Sequence, residues 1–475
     1  MFSMKSKVIA ILLFVLFSFS AASTEKELDE NLQYFKEIYT QANAQYEYEK
    51  ELGLDIDAVV SEIKQSYLKQ CKLDEPINSD ILVTCYGTVL EKVQKVPNNH
   101  FAVYNQNHFY GRKYWLWNYS LVVFEKRGDE YYCIQTDWFS KFKKGGKYTG
   151  DTENLFKLVN RHGKGGDLYR FGVLSEDWIE EGIISVDGKD YTVQLHGLPS
   201  LWHEESGIGV KTTDKTYYIC FNNFTFSWDD ANKYRELHNT LNEYLKLLDD
   251  NEYENIIVDL RGNIGGMERS FYPFMQRLAA GRDYGKQREF QKKLDSLYNG
   301  RKQYYSDYIN QNFLEVMKTN PGNYDKKEEE KLKKSKGFYF EQDNHDYYDF
   351  DCNFKGKLII LMNYWTASAA ELFITESYMF DNVILLGCNT NGCFDFGGKL
   401  VYKLPHSDIS IDLCSDSFKE MKFTQENPHW HGDYKGFYPD YWVTEYSLLK
   451  TLVYLTSDRK LKRVLKGIGE SFCDK

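Results

Sequence analysis

The sequence predicts a mixed α/β (α+β) fold, with a helical N-terminal region, a β-rich middle segment and an α/β core. Three observations carry this expectation. Between Glu25 and about Lys95, charged and apolar residues interleave at helical spacing, as in LQYFKEIYTQANAQYEYEKELG. From Leu121 to about Ser200 the chain reads as short strands between turn signals, including FEKRGDEYYCIQ and ISVDGKDYTVQLH. From Thr216 onward strands alternate with helices, which implies a sheet with crossover helices.

The helical region closes at the turn-like VPNNH, Val96 to His100. The Arg127-Gly128-Asp129 and Asp187-Gly188-Lys189 turns are hairpin candidates in the β-rich part. In the third part, YYICFNNFTF reads as a strand, WDDANKYRELHNTLNEYLKLLDD as a long amphipathic helix, and ENIIVDLRGNIGG as a buried strand running into a glycine-rich turn. GKLIILMN, TASAAELFITESYMF and DNVILLG then repeat strand, helix and strand. Charged, helix-rich sequence over about 268–336, including KKEEEKLKK, reads as a solvated insertion. The expected boundaries are 1–23 for a leader, 24–99 for the helical region, 100–205 for the β-rich part, 206–449 for the core and 450–475 for a terminal helix.

A chain of 475 residues is too long for one compact core, and 42% hydrophobic with 27% charged residues is ordinary globular composition. The net charge of −11 argues against a nucleic-acid partner, which needs a clustered excess of Lys and Arg. Thirty-eight tyrosines fit strands more readily than they indicate a carbohydrate- or peptide-binding surface.

At the N-terminus, Lys5 and Lys7 precede the apolar run VIAILLFVLFSFS, then the small residues AAS, then the acidic TEKELDE. That order reads as a secretory signal peptide cleaved near Ala22 or Ser23, with an uncleaved N-terminal anchor as the alternative. It implies a secreted or periplasmic protein with no stable membrane insertion after cleavage. None of the nine cysteines forms a C-x-x-C pair, which speaks against a zinc or thioredoxin motif. An oxidising compartment allows disulfides, with Cys71 and Cys85 the most local candidates. Asn118-Tyr119-Ser120 and Asn223-Phe224-Thr225 have the pattern of glycosylation acceptors.

Two segments have the makings of a site. In VDLRGNIGG, Gly262, Gly265 and Gly266 free the backbone to turn and to point N–H groups outward, toward an oxyanion or merely around a tight corner. In NYWTASAAELF, Ser368 falls where an apolar strand gives way to a helix, near the positive end of its dipole. Ala367, Ala369 and Ala370 leave room around it, and no G-x-S-x-G elbow surrounds it. Each segment alone reads more readily as packing than as a site.

Taken in order, VDLRGNIGG, GKLIILMNYWTASAAELF, DNVILLGCNTNGC and GFYPDYWV resemble the carboxy-terminal-processing (tail-specific) protease family and its tricorn-protease relatives. The resemblance covers about half the chain. It implies a crotonase/Clp-protease-like core, a peptide or protein substrate and no metal or cofactor. Ser368 would be the nucleophile, with Gly265 or Gly266 and the Ala369 backbone as oxyanion hole. Residues 100–205 stand where many relatives carry a PDZ domain, without a convincing peptide-carboxylate loop.

One position departs from the pattern. Where the processing proteases carry a lysine base, this chain has Cys393, and Lys399 lies six residues beyond it. The tricorn-type relatives use a Ser–His–acid arrangement instead. By that resemblance His100 is the general base and Asp433, three residues before Gly436, the orienting acid. His108, in QNHF, competes for the first role and Glu426 for the second. His429 and His431 with Asp433 have an alternative reading as metal ligands, although no further ligand is in evidence. The implied function is a serine peptidase acting through an acyl-enzyme. A non-catalytic ligand-binding protein on the same fold is the alternative that Cys393 raises, and no carboxylate spacing suggests a glycosidase.

Overall fold

The computed structural model describes residues 24–466, except 74, 139, 162, 164, 199–206, 225–230, 320–325, 335–338 and 343–349. The expected signal peptide, 1–23, lies outside the described residues, as does Cys473. The chain divides into two compact units.

One unit comprises 1–112, 300–343 and 395–420. Its helices, residues 24–41, Gln45–Glu51, Ile56–Leu68 and Ser79–Val93, follow the helical spacing of the sequence. Asp55 and Asn78 cap two of them by accepting from backbone N–H groups, which satisfies donors that a helix start otherwise leaves open. Their apolar faces, with Phe35, Tyr39, Ile63 and Tyr86 buried, share a core with the strand Ser410–Ser417. That strand pairs antiparallel with Ala102–Tyr104, Lys302–Tyr305 and Phe396–Lys403. Cys71 and Cys85 belong to this unit as free thiols, a correction to the suggested disulfide; all eight described cysteines are free.

The other unit comprises 113–299, 344–394 and 421–475. The β-rich segment contributes a four-stranded antiparallel sheet, in the order Glu130–Gln135, Leu116–Arg127, Leu168–Ser175 and Leu155–Leu158. A hairpin, Glu181–Val186 with Lys189–Gln194, accompanies it. Both expected hairpin turns form, and Asp187 and Gly188 take the positive φ of 53° and 72° that a two-residue turn requires. Asn118 and Asn223, the two sequon asparagines, are buried.

The core of this unit is a six-stranded sheet whose elements we label β1 (Ile208–Thr212), β2 (Thr216–Phe221), α1 (Ala231–Asp249), β3 (Asn255–Asp259), β4 (Lys357–Met362), α2 (Ala369–Ser377), β5 (Val383–Gly387) and β6 (Tyr441–Trp442). The strand order is β6-β5-β4-β3-β2-β1, parallel throughout except for the antiparallel edge strand β1. A sheet covered on both faces needs apolar side chains at successive positions, which is why IIV and LIILM run without alternation. One face packs Tyr218, Ile257, Ile359 and Leu386 against Leu448 and Leu452 of the helix Glu445–Thr456. Against the other lies α2, every residue of which is buried. Its Phe373 meets Phe221, Phe224, Phe271 and Phe274, with ring centroids 5.2–6.5 Å apart.

Parallel strands all end on the same side of a sheet. The turns that follow β3, β4 and β5 therefore emerge together at the carboxyl edge, where open α/β sheets place their ligands. Three of the four sequence motifs run into those turns.

Candidate active site

Three hydrogen bonds join the turn after β3 to the turn after β4, and a fourth closes the latter on itself. Asn363 Oδ1 accepts from the Gly262 N–H at 2.9 Å and from the Trp365 N–H at 3.1 Å. Thr366 Oγ1 donates to the Leu260 carbonyl at 2.9 Å, and the Ala367 N–H donates to the Asn263 carbonyl at 3.0 Å. Asn263 in turn donates from Nδ2 to the Phe221 carbonyl at 3.1 Å and is fully buried, which ties the end of β2 to the same assembly. A buried amide that satisfies several backbone groups fixes turn geometry, since leaving those groups unpaired costs about 1–3 kcal/mol each.

Ser368 stands at the end of this assembly as the residue before α2, with φ 54° and ψ −119°. That conformation is sparsely populated for a residue with a Cβ and costs roughly 1–3 kcal/mol, so the surroundings must hold it. A strained strand-to-helix turn of this kind exposes the nucleophilic serine of α/β-hydrolases; here it arises without the G-x-S-x-G sequence. Ser368 keeps partial exposure while all of α2 behind it is buried.

Gly265 lies directly against it. With φ +92°, a Cβ on Gly265 would stand 2.6 Å from the Ala367 carbonyl oxygen, 2.8 Å from the Ala369 nitrogen and 2.8 Å from the Ser368 Cβ. Only glycine permits that approach. The Gly265 N–H donates to Asn263 Oδ1 at 2.9 Å. Of the two glycines named for an oxyanion hole, Gly266 is therefore the one whose N–H lacks a partner among the described residues, and it is exposed. The Ala369 N–H, in the first turn of α2, is an orphan donor of a helix start.

Glu371 lies three residues after Ser368 in NYWTASAAELF and is not among the expected site residues. It is fully buried and its carboxylate accepts four hydrogen bonds. Oε2 takes the N–H groups of Ser368 at 3.0 Å and Cys393 at 2.8 Å. Oε1 takes the Gly392 N–H at 2.9 Å and the Thr390 hydroxyl at 2.5 Å. Burial pushes its pKa up to about 7, against the pull of these donors toward the charged form. The spacing S-x-x-E was the available signal, because it is that of a helix-start box in which the glutamate reaches back to the N-cap N–H.

The turn Thr390–Phe394 carries the assembly on to Asp433. The Phe394 N–H donates to Asp433 Oδ1 at 2.9 Å, and the Tyr434 N–H to the Gly392 carbonyl at 2.9 Å. Gly392, φ +73°, is wedged so closely against residues 434–436 that a Cβ would fall 2.5 Å from the Tyr434 nitrogen. Asp433 is buried, whereas Glu426 sits exposed on the short helix Lys422–Glu426 and pairs with Lys422 at 3.8 Å. Ser368, Ala369, Gly265, Gly266, Cys393 and Asp433 thus fall in one unit, linked through Glu371 and the β5 turn.

His100 belongs to the other unit, just before the strand Ala102–Tyr104. Its Nδ1 is sealed from solvent, and burial, with the positive charges of Lys399 and Arg112, lowers its pKa to about 4. Lys399 is paired with buried Asp412 at 2.7 Å on that unit's sheet. His108 is exposed beside Asp80, at 3.5 Å. His429 and His431 are separately engaged: His429 Nδ1 lies 2.9 Å from the Tyr438 carbonyl, and His431 stacks on Tyr438 at 3.6 Å.

A strained serine at a buried helix start, a glycine turn with outward N–H groups and a parallel sheet that brings them together define a serine-hydrolase type of site. Residues 215–408 match the family model for peptidase family S41. No curated protein matches. Among solved structures the chain is similar to mature CPAF complexed with lactacystin, at 11% identity over 94% of this chain and 99% of that one, TM-score 0.40. It is similar to the photosystem II D1 C-terminal processing protease at 10% identity over 92% and 99%, TM-score 0.36. With the tricorn protease it shares 15% identity over 87% of this chain and 34% of that one, TM-score 0.28.

Proposed function

We propose that the protein hydrolyses peptide bonds by acyl transfer to Ser368. The observation that carries this reading is the backbone of Ser368 itself, held at φ 54° and ψ −119° against the Gly265 turn at the head of α2. The hydroxyl attacks the substrate carbonyl, and the oxyanion that develops meets the Gly266 and Ala369 N–H groups and the positive end of the α2 dipole. Water then releases the acyl group.

The general base in this reading is His100, oriented by Asp433, as the tricorn-type resemblance implies. Burial lowers its pKa to about 4, so the imidazole is neutral at physiological pH but more weakly basic than the near-neutral value that best suits a general base. Cys393 is not assigned a role in proton transfer. Residues 1–23 act in this reading as a secretory signal, so the enzyme works outside the cytoplasm.

The test is hydrolysis of an unstructured protein substrate by the mature chain and by Ser368→Ala. Loss of cleavage in the variant, with cooperative unfolding retained, supports the reading; equal cleavage by both refutes it.

A further inference from the structure

We infer that Glu371 is a positioning residue for the nucleophile, and that its carboxylate clamps the Ser368 turn to the turn Thr390–Phe394. The inference rests on the reading of Ser368 as nucleophile and deepens it.

Two elements meet at one side chain, the residue before α2 and the turn after β5, and the latter in turn holds the loop that carries Asp433. Glu371 accepts from Ser368 N–H and Cys393 N–H on one oxygen, and from Gly392 N–H and the Thr390 hydroxyl on the other. These donors come from two segments that the sequence separates by about twenty residues and that no strand pairing joins beyond Gly387. Without an acceptor there, the Ser368, Gly392 and Cys393 N–H groups would each lose this bond, and Ser368 with it a restraint that opposes its strain.

The clamp extends by one further step on each side. Thr390 Oγ1, while donating to Glu371, accepts the Phe437 N–H at 2.7 Å, so the same hydroxyl anchors the chain after Gly436. Phe394, next to Cys393, donates to Asp433. Glu371 therefore sets Ser368 and Asp433 in one frame although it touches only the first. An aliphatic side chain of equal size would pack in α2, but it would satisfy none of the four donors.

The consequence is a kinetic signature. A side chain that only stabilises α2 affects folding and leaves the reactivity of folded enzyme alone. A positioning carboxylate affects how fast Ser368 is acylated once the protein is folded.

The experiment measures the second-order rate of Ser368 labelling by a fluorophosphonate, and kcat and KM on a peptide, for full-length wild type, Ser368→Ala, Glu371→Gln, Thr390→Val, Thr390→Ser and Asp433→Asn. In Glu371→Gln one acceptor oxygen becomes an NH2 group that faces N–H donors. Its labelling rate and kcat should fall together by about 10–100-fold with KM within about twofold, the range expected when a well-oriented group is displaced. Thr390→Val should label more slowly than Thr390→Ser, which keeps the hydroxyl; this pair decides the matter if Glu371→Gln does not fold. Glu371→Gln combined with Asp433→Asn should lose less than the product of the two single losses, because both changes act through one frame.

Wild-type labelling rates in Glu371→Gln, or equal rates in the two Thr390 variants, overturn the inference. If Ser368→Ala still labels and still cleaves, the nucleophile reading fails instead, so the two failures are distinguishable.

Discussion

Gly265 and Ser368 are packed so closely that a Cβ on the glycine would lie 2.8 Å from the serine Cβ. Both residues also have positive φ, 92° and 54°. The two motif turns are therefore mutually shaped: the glycine turn is tight enough to admit the serine turn, and the serine turn is strained enough to face it. A carbonyl bound above Ser368 would have the Ala369 N–H at the helix start beside it.

Gly265→Ala should then be costly in two ways. It places a side chain at a left-handed backbone position and drives it into Ala367 O and Ala369 N. The expected loss is about 2 kcal/mol or more of stability, accompanied by slower phosphonate labelling. Urea denaturation and labelling kinetics check both. Wild-type values in the variant would show that the close approach has no mechanical role.

Asn118 is expected to matter for stability and not for glycosylation. It is fully buried; Nδ2 donates to the Leu116 carbonyl at 3.1 Å and to Ser175 Oγ at 2.9 Å, and Oδ1 accepts from the Ile179 N–H at 3.0 Å. Asn118→Ala should destabilise by about 1–3 kcal/mol, since it leaves buried partners unpaired. Intact mass after expression in a glycosylating host should show no glycan at this position.

Stability should carry two opposing pH terms. Glu371 holds its proton up to about 7 in the folded state, against a usual carboxylate value of 4.5, so the folded state binds more protons between those values. Its contribution is present below pH 4.5 and is lost as pH rises toward 7, by about 3 kcal/mol in the limit. His100 acts the other way: its pKa falls from 6.5 to about 4, so its contribution is present above 6.5 and is lost as pH falls toward 4. Glu371→Gln should steepen the rise of stability with pH between 4.5 and 6.5, and His100→Asn should reverse it. Denaturant midpoints at pH 4.5, 5.5 and 6.5 distinguish the two; identical slopes in all three proteins would contradict the assignment.

The base can be tested separately from the nucleophile. His100→Ala should lower kcat/KM by about 10²–10⁴-fold, the usual contribution of a general base, while Lys399→Met leaves Ser368 still acylated. The reverse ranking would assign proton transfer to the lysine.

Much of this arrangement was legible in the sequence. The unbroken apolar runs of β3 and β4 announced a doubly covered sheet, and Gly262, Gly265 and Gly266 announced a turn too tight for side chains. The S-x-x-E spacing was visible too, but not its meaning. Whether Glu371 faces solvent or four donors depends on the turn after β5, which the sequence places some twenty residues away. Cys71 and Cys85 looked like a local disulfide by spacing alone, yet one follows the helix Ile56–Leu68 and the other sits inside Ser79–Val93, both as free thiols. The β-rich segment 100–205 read as one block, whereas the division into compact units falls at Arg112, because Ala102–Tyr104 pairs with Ser410–Ser417, more than three hundred residues on. Pairing over such separations leaves no local trace. The strain at Ser368 left none either, since its motif lacks the glycines that usually mark an elbow.

Peptide mapping of the fluorophosphonate-labelled protein tests the central claim most directly. The account predicts a single adduct on Ser368, absent from Ser368→Ala. An adduct on Cys393 or any other residue, with Ser368 unmodified, would contradict it.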